Sequence, residues 1–105
     1  MADTVRMSRP STEPRKTLIC RISVFWEDEA GFSTRQVGLL ENRSLSGVSI
    51  CVPEPMAIGT KVNVRGKLRE LAGIVLYCRP KGSQYLVDIQ LDERDLGWAA
   101  FGAGL

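Results

Sequence analysis

The residues with the clearest chemical potential form one short polar segment, Asn42-Arg43-Ser44-Leu45-Ser46-Gly47. The amide of Asn42 can cap a turn or hydrogen-bond the edge of a planar base. Ser44 offers a hydroxyl to a backbone or phosphate oxygen, and Gly47 permits a positive φ or the close approach of a ligand. Because exposed N–H groups in such a turn can surround an anion, the segment indicates either a ligand-binding loop or an Asx-type turn that only links two strands.

A second group of candidate residues lies near the start of the chain, where four cationic side chains occur within sixteen residues: Arg6, Arg9, Arg15 and Lys16. Two carboxylates oppose these charges, and two prolines interrupt any regular helix or strand. We therefore expect residues 1–16 to be a flexible basic arm. Such an arm is either a solvated tail or an anion-binding segment that becomes ordered on its ligand.

The sequence contains little that indicates a catalytic, metal or redox site. The chain has no histidine, which excludes His-based catalysis and His ligation of a metal. Cys20, Cys51 and Cys78 lie in separate apolar runs without a CxxC pair, which favours core packing over zinc or redox chemistry. The acidic clusters at 27–29 and 92–95 fall in predicted turns or helix starts, where solvated carboxylates are usual. We therefore expect no enzyme, no metal site and no cofactor.

Length and charge narrow the possible partners. The chain has 105 residues, which suits one domain with a modest core. Its formal net charge is only +2, which argues against a DNA- or RNA-coating protein. No apolar run approaches the ~18 residues of a membrane span, so no membrane insertion is expected. An odd number of cysteines without a signal peptide favours the cytoplasm.

The segments that must position the polar residues are predicted to be short strands. β-branched, aromatic and alternating residues predict strands at 17–26, 35–41, 48–52, 61–65, 68–78 and 85–91. The first strand should direct Leu18, Cys20, Ile22, Val24 and Trp26 towards the core. Cys78 should also point inward. Gly38 and Gly73 interrupt two strands, which is typical of a bulge or a bend.

The remaining segments are turns and a C-terminal element. Residues 42–47 and 79–83 are predicted turns, and the acids that begin 92–98 favour a short helix. Trp98, at the end of that segment, is expected to cover either the barrel or a ligand. Because no long amphipathic helix is visible, residues 17–105 are predicted to form an all-β domain, either a small antiparallel barrel or a sandwich.

Two longer runs give the polar segment a recognisable context. Asn42, Ser44 and Gly47 match the fixed positions of an Asp/Asn-x-Ser-x-x-Gly motif. The run VGLLENRSLSGVSICVPEPMAIGTKVNV places this motif between strands, and LAGIVLYCRPKGSQYLVDIQL adds a hairpin. In this order the chain resembles the PilZ family of bacterial cyclic di-GMP receptors over about residues 15–98. The family's second motif, Arg-x-x-x-Arg, is incomplete, because Arg15 fills its second position and Ser11 its first.

The resemblance implies a six-stranded antiparallel barrel with a short C-terminal helix, and a signalling module that binds cyclic di-GMP. Arg15, helped by Arg9, would pair with a phosphate and stack on a base. Asn42 and Ser44 would bond a guanine edge and a phosphate, with Arg43 beside them and Gly47 allowing close approach. The arm would become ordered over the ligand and change the surface presented to an unidentified effector protein.

Two alternatives stay open from the sequence. The incomplete arginine motif favours a degenerate PilZ-like domain that binds protein and no nucleotide. A general nucleic-acid barrel is the third reading, but Lys61, Arg65, Lys67 and Arg69 have no aromatic residue among them on which bases could stack.

Overall fold

The computed structural model describes residues 20–98 and residue 105, and these form a closed antiparallel barrel of six strands. The strands are β1 (Cys20–Glu27), β2 (Ser33–Arg43), β3 (Gly47–Val52), β4 (Lys61–Arg65), β5 (Glu70–Lys81) and β6 (Gln84–Leu91). Around the barrel the order is β1-β2-β3-β6-β5-β4, and β4 closes it by pairing with β1. The all-β, six-stranded barrel is confirmed. The predicted arm, residues 1–16, lies outside the described residues.

Alternation along the strands builds the core, because every second side chain of a strand faces the same side of the sheet. Six residues of the described core have no accessible surface: Val24, Ile50, Val52, Val64, Leu71 and Val87. Cys20, Trp26, Cys78 and Tyr85 pack against this core from partly buried positions. The inward direction predicted for Cys20, Ile22, Val24, Trp26 and Cys78 is therefore confirmed, and Leu18 lies outside the described residues.

Two strands run further than their sequence pattern predicts. β2 continues through Asn42 and Arg43, which were predicted to lie in a turn, and only 44–46 connect it to β3. β5 continues to Lys81, so that Pro80 pairs with Tyr85. The hairpin loop between β5 and β6 needs only Gly82 and Ser83, because Gly82 adopts φ +62°.

Both long strands contain a β-bulge, at positions that the sequence does not mark. The register of β2 against β3 shifts between Leu40 and Asn42, which makes Glu41 the extra residue. The register of β5 against β6 shifts between Val75 and Tyr77, which makes Leu76 extra. Of the bulge or bend predicted at Gly38 and Gly73, the bulge is wrong, because neither register shift falls at a glycine. A Cβ at either glycine would overlap a carbonyl oxygen of the neighbouring strand, so these glycines allow close strand packing.

The end of the barrel near the β2–β3 connection is closed by the last described residues. The predicted C-terminal helix is reduced, in the described part, to one 3-10 turn at Glu93–Asp95. Trp98 is 3% exposed and belongs to the core, so it covers the barrel. Leu105 is also buried and approaches Gly66, which has no side chain to obstruct it. Between residues 20 and 98 no helix has the length and apolar character needed to cross a bilayer.

Candidate ligand-binding groove on the barrel surface

The bulge in β2 decides which way Asn42 and Arg43 face. Leu40 points inward, so simple alternation would also point Asn42 inward. The extra residue Glu41 reverses this, because Asn42 then pairs with the outward Ser49 and Arg43 pairs with the buried Val48. Asn42 therefore lies on the outer surface of the barrel.

The bulge in β5 acts in the same way on the other side of the β3–β6 pair. Val75 is buried and points inward. Leu76 is the extra residue, and Tyr77 after it points outward and pairs with Asp88. Leu76 and Tyr77 are consecutive and are 52% and 50% exposed. Asn42 pairs with Ser49, and Ser49 pairs with Asp88. The two bulges therefore flank one row of outward residues, which consists of Asn42, Ser49 and Asp88.

This row forms the floor of an open groove of about 320 Å³, which we call the motif groove. Its lining includes the side chains and backbone of the motif segment together with parts of β5 and β6: Asn42, Arg43, Ser44, Ser46, Gly47, Val48, Ser49, Leu76, Asp88, Ile89 and Gln90. The structure thus brings together all four predicted site residues that fall in its described part. Arg9 and Arg15, the other two predicted site residues, lie outside it.

Within the motif, Asn42 and Ser44 each use one atom to brace the local backbone. Asn42 Oδ1 accepts the N–H of Arg43 at 2.8 Å, and Ser44 Oγ accepts the N–H of Gly47 at 3.2 Å. No hydrogen bond between described residues uses the Asn42 amide nitrogen or the backbone N–H groups of Leu45 and Ser46. The exposed turn therefore has donors available for an acceptor such as a phosphate or a carbonyl.

Gly47 has a structural role that its motif position does not reveal. It is not among the described glycines with positive φ, and a Cβ at this position would lie 2.5 Å from the carbonyl oxygen of Ile89. The absence of a side chain therefore lets β3 approach β6. The carbonyl groups of Leu45 and Ser46 accept the N–H groups of Gly97 and Leu91 at 2.7 and 2.9 Å, which ties the turn to the C-terminal segment.

Arg43 lies at the rim of the motif groove and stacks on Trp98. Its guanidinium carbon is 5.5 Å from the centre of the Trp98 ring, and that of Arg69 is 5.9 Å from the same ring. Both distances are within the range of a cation–π interaction. Arg43 is therefore positioned by the barrel cover, whereas Asn42 is positioned by the sheet.

Asp88 gives the floor of the groove an acceptor that the sequence analysis did not identify. Ser49 Oγ donates to Asp88 Oδ1 at 2.6 Å, and Arg79 Nη1 lies 3.7 Å from Asp88 Oδ2. The Asp88 side chain is nevertheless about one third exposed. Four residues of the groove were not predicted from the sequence, because their proximity to Asn42 depends on strand register. They are Ser49, Leu76, Asp88 and Gln90. One signal in the sequence could have found two of them, because the apolar residues Val87, Ile89 and Leu91 alternate with Asp88 and Gln90 and so place these two on the outer face.

Glu41, the extra residue of the β2 bulge, is held by a distant lysine. Lys81 Nζ donates to Glu41 Oε1 at 2.7 Å, which joins β5 to β2 across the intervening strands β3 and β6. This hydrogen bond is the main reason that the pKa of Lys81 is raised above its ordinary value. The ion pair thus connects the two bulged strands near the groove.

The described residues also form a larger cleft of about 690 Å³ at the opposite end of the barrel. Its lining includes the predicted acidic turn, Glu27, Asp28 and Glu29, beside Phe25 and Trp26. Asp28 Oδ1 accepts the N–H groups of Ala30 and Phe32 at 3.0 and 2.9 Å, which is the behaviour of a turn-forming carboxylate. Three carboxylates disfavour a phosphate ligand here, so the motif groove is the better candidate for one.

Comparison with models of known protein families gives no match to this chain, and comparison with curated protein sequences gives none either. Among the described residues no group of Cys, Asp and Glu side chains is arranged to hold a metal ion.

Proposed function

We propose that this chain is a PilZ-like signalling module that binds cyclic di-GMP in the motif groove. The observation that carries the proposal is that Asn42, Ser44 and Gly47, the three fixed positions of the motif, line one exposed groove on the barrel surface. The amide of Asn42 and backbone N–H donors of the turn lie beside an apolar wall formed by Leu76, a combination that suits a ligand with phosphates and planar bases.

The position of Cys20 supports the participation of the basic arm. Cys20 pairs with Leu40, two residues before Asn42, so the chain enters the barrel at the end where the motif lies. Arg15 is five positions before Cys20, and an extended chain of that length reaches up to about 17 Å. The groove lies about 10 Å away along the sheet, which is within that reach. We infer that Arg15, with Arg9, completes the site and that ordering of the arm changes the surface offered to an effector protein.

Calorimetric titration with cyclic di-GMP tests this proposal on the wild type, Arg15→Ala and Arg6→Ala. A charge-assisted hydrogen bond to phosphate contributes ~1.5–3 kcal/mol, so Arg15→Ala should lower the affinity at least about tenfold. Arg6→Ala removes the same charge further from the barrel and should have a much smaller effect. Absence of heat from the wild type at high micromolar ligand would exclude the proposal.

A protein-binding domain that takes no nucleotide is the second candidate. It is favoured by Ser11, which stands where the family motif has an arginine, and by the exposed apolar side chains of Leu45, Leu76 and Tyr77 around the groove. This candidate predicts the same melting temperature with and without cyclic di-GMP. A ligand-induced rise of several degrees would contradict it, because binding to the native state stabilises that state.

A further inference from the structure

We propose that Asp88 determines the base specificity of the motif groove by accepting the N1–H and N2–H donors of a guanine. The inference deepens the proposed function and rests on it. It assigns to β6 a role in ligand recognition, in addition to that of the motif segment.

The first argument is the position of Asp88. Asn42 pairs with Ser49 and Ser49 pairs with Asp88, so the three side chains lie in one row across β2, β3 and β6 on the outer surface. Ser49 Oγ holds one carboxylate oxygen at 2.6 Å and thereby fixes the direction of the group. A carboxylate offers about four lone-pair positions, so this bond and the 3.7 Å approach of Arg79 leave acceptor capacity for a ligand.

The second argument is electrostatic. A phosphate next to Asp88 would be repelled by the carboxylate, whereas a base edge that presents N–H groups would be attracted. The backbone N–H groups of Leu45 and Ser46 lie on the β2–β3 turn and donate to no described residue, and Ser46 lines the groove. A cyclic dinucleotide therefore fits with a phosphate at the turn and a base over the β3–β6 pair.

The third argument is the pattern of donors and acceptors. The Watson–Crick edge of guanine carries one acceptor, O6, followed by two donors, N1–H and N2–H. The row offers the Asn42 amide as a donor and the Asp88 carboxylate as an acceptor, in matching order. Adenine presents a donor where guanine has O6 and an acceptor at N1, so it would place like groups against both side chains.

The apolar wall completes the site for a planar ring. Leu76 lines the groove, and Tyr77 pairs with Asp88 from the neighbouring strand. The bulge in β5 exposes both side chains on the same surface. A base whose edge meets Asp88 can therefore rest against Leu76 and Tyr77.

The test is calorimetric titration of the wild type, Asp88→Asn and Glu29→Gln with three ligands: cyclic di-GMP, cyclic di-AMP and cyclic di-inosine monophosphate, which lacks N2–H. The wild type should prefer cyclic di-GMP to both other ligands. Because a good bidentate contact discriminates between bases by about fivefold to a hundredfold, Asp88→Asn should lose that much of the preference over cyclic di-AMP. Glu29→Gln removes a carboxylate at the opposite end of the barrel and should bind as the wild type does.

The inosine ligand gives a second measurement, and its first part uses the wild type alone. Removal of N2–H should weaken binding to the wild type, and the same removal should matter less in Asp88→Asn, since the two changes act on one contact. If the wild type binds cyclic di-GMP but Asp88→Asn retains its affinity and preference, the inference is overturned and the proposed function stands. If the wild type binds none of the three ligands, the proposed function itself fails.

Discussion

Asn42 and Arg43 are neighbours in the chain but have different surroundings. Asn42 lies on the outer face opposite Ser49, and Arg43 turns to the barrel end and stacks on Trp98. Truncation of the two side chains should therefore have different consequences. The chain offers a matched residue for each comparison, Asn63 for Asn42 and Arg69 for Arg43.

Asn42→Ala should weaken cyclic di-GMP binding without destabilising the barrel. One neutral hydrogen bond is lost, so the affinity should fall by about threefold to tenfold. Because Asn42 is exposed, the free energy of unfolding should change by less than about 0.5 kcal/mol. Asn63→Ala, in the acidic cleft, is the control and should keep full affinity. Equal losses of affinity in both variants, measured by calorimetry, would argue against the motif groove.

Arg43→Ala and Arg69→Ala separate ligand binding from support of Trp98. Each variant removes one cation–π interaction and should lower the free energy of unfolding by about 0.5–1 kcal/mol in urea titrations. Only Arg43 lines the motif groove, so only its truncation should lower the ligand affinity, by about tenfold. If Arg69→Ala loses as much affinity, Arg43 acts through the barrel cover and not on the ligand.

The strands could be predicted from the sequence to different degrees. Lys61–Arg65 has the same bounds in sequence and structure, because Val62 and Val64 alternate cleanly with polar residues. The bulges could not be predicted, since Glu41 and Leu76 are ordinary strand residues and an extra residue is defined only relative to the partner strand. For this reason the sequence identified Asn42 and Ser44 but not Asp88 as their neighbour.

Deletion of Leu76 tests whether the β5 bulge is an addition to the barrel or a requirement for it. Without Leu76, Val75 and Cys78 can keep their partners Ile89 and Val87, so the variant should still unfold cooperatively. Its affinity for cyclic di-GMP should fall because the apolar wall is lost. Deletion of Asn63 in β4, which has no bulge against either of its partner strands, should abolish the fold, since a one-residue slip reverses the faces of a strand. Thermal melts that show the same stability for both deletions would contradict this assignment.

The ion pair between Lys81 and Glu41 should give the stability of the barrel a component that disappears at alkaline pH. The pKa of Lys81 is raised in the folded state, chiefly by the hydrogen bond to Glu41. The pair therefore stabilises the fold below the unfolded pKa of Lys81, and its contribution is lost as pH rises through the higher folded value.

The measurement is the urea midpoint at about pH 9 and about pH 11 for the wild type, Lys81→Met and Lys67→Met. The wild type and Lys67→Met should lose more stability over this interval than Lys81→Met, since Lys67 has no ion pair to any described residue. An identical pH dependence in all three proteins would show that the pair contributes nothing to folding.

The motif groove and the cleft with the acidic turn lie at opposite ends of the barrel. The motif groove lies near the end where the chain enters β1, and the cleft with Glu27, Asp28 and Glu29 lies at the other end. The first described residue, Cys20, therefore lies at the same end of the barrel as the motif groove.

Removal of residues 1–16 should lower the affinity for cyclic di-GMP but leave the melting temperature nearly unchanged. The described core consists of residues from Cys20 onward, so the shortened chain should melt within a few degrees of the full chain. Its affinity for cyclic di-GMP should fall by more than that of Arg15→Ala, because Arg9 and Arg15 are both absent. A shortened chain with unchanged affinity would remove the arm from the proposed mechanism.

The two bulges place Glu41, Asn42, Leu76 and Tyr77 on the surface while the buried residues beside them keep their partners. Surface chemistry and interior packing are thereby uncoupled at these four positions. Randomising these four positions in a display library should yield many well-folded variants, from which binders of other flat molecules could be selected.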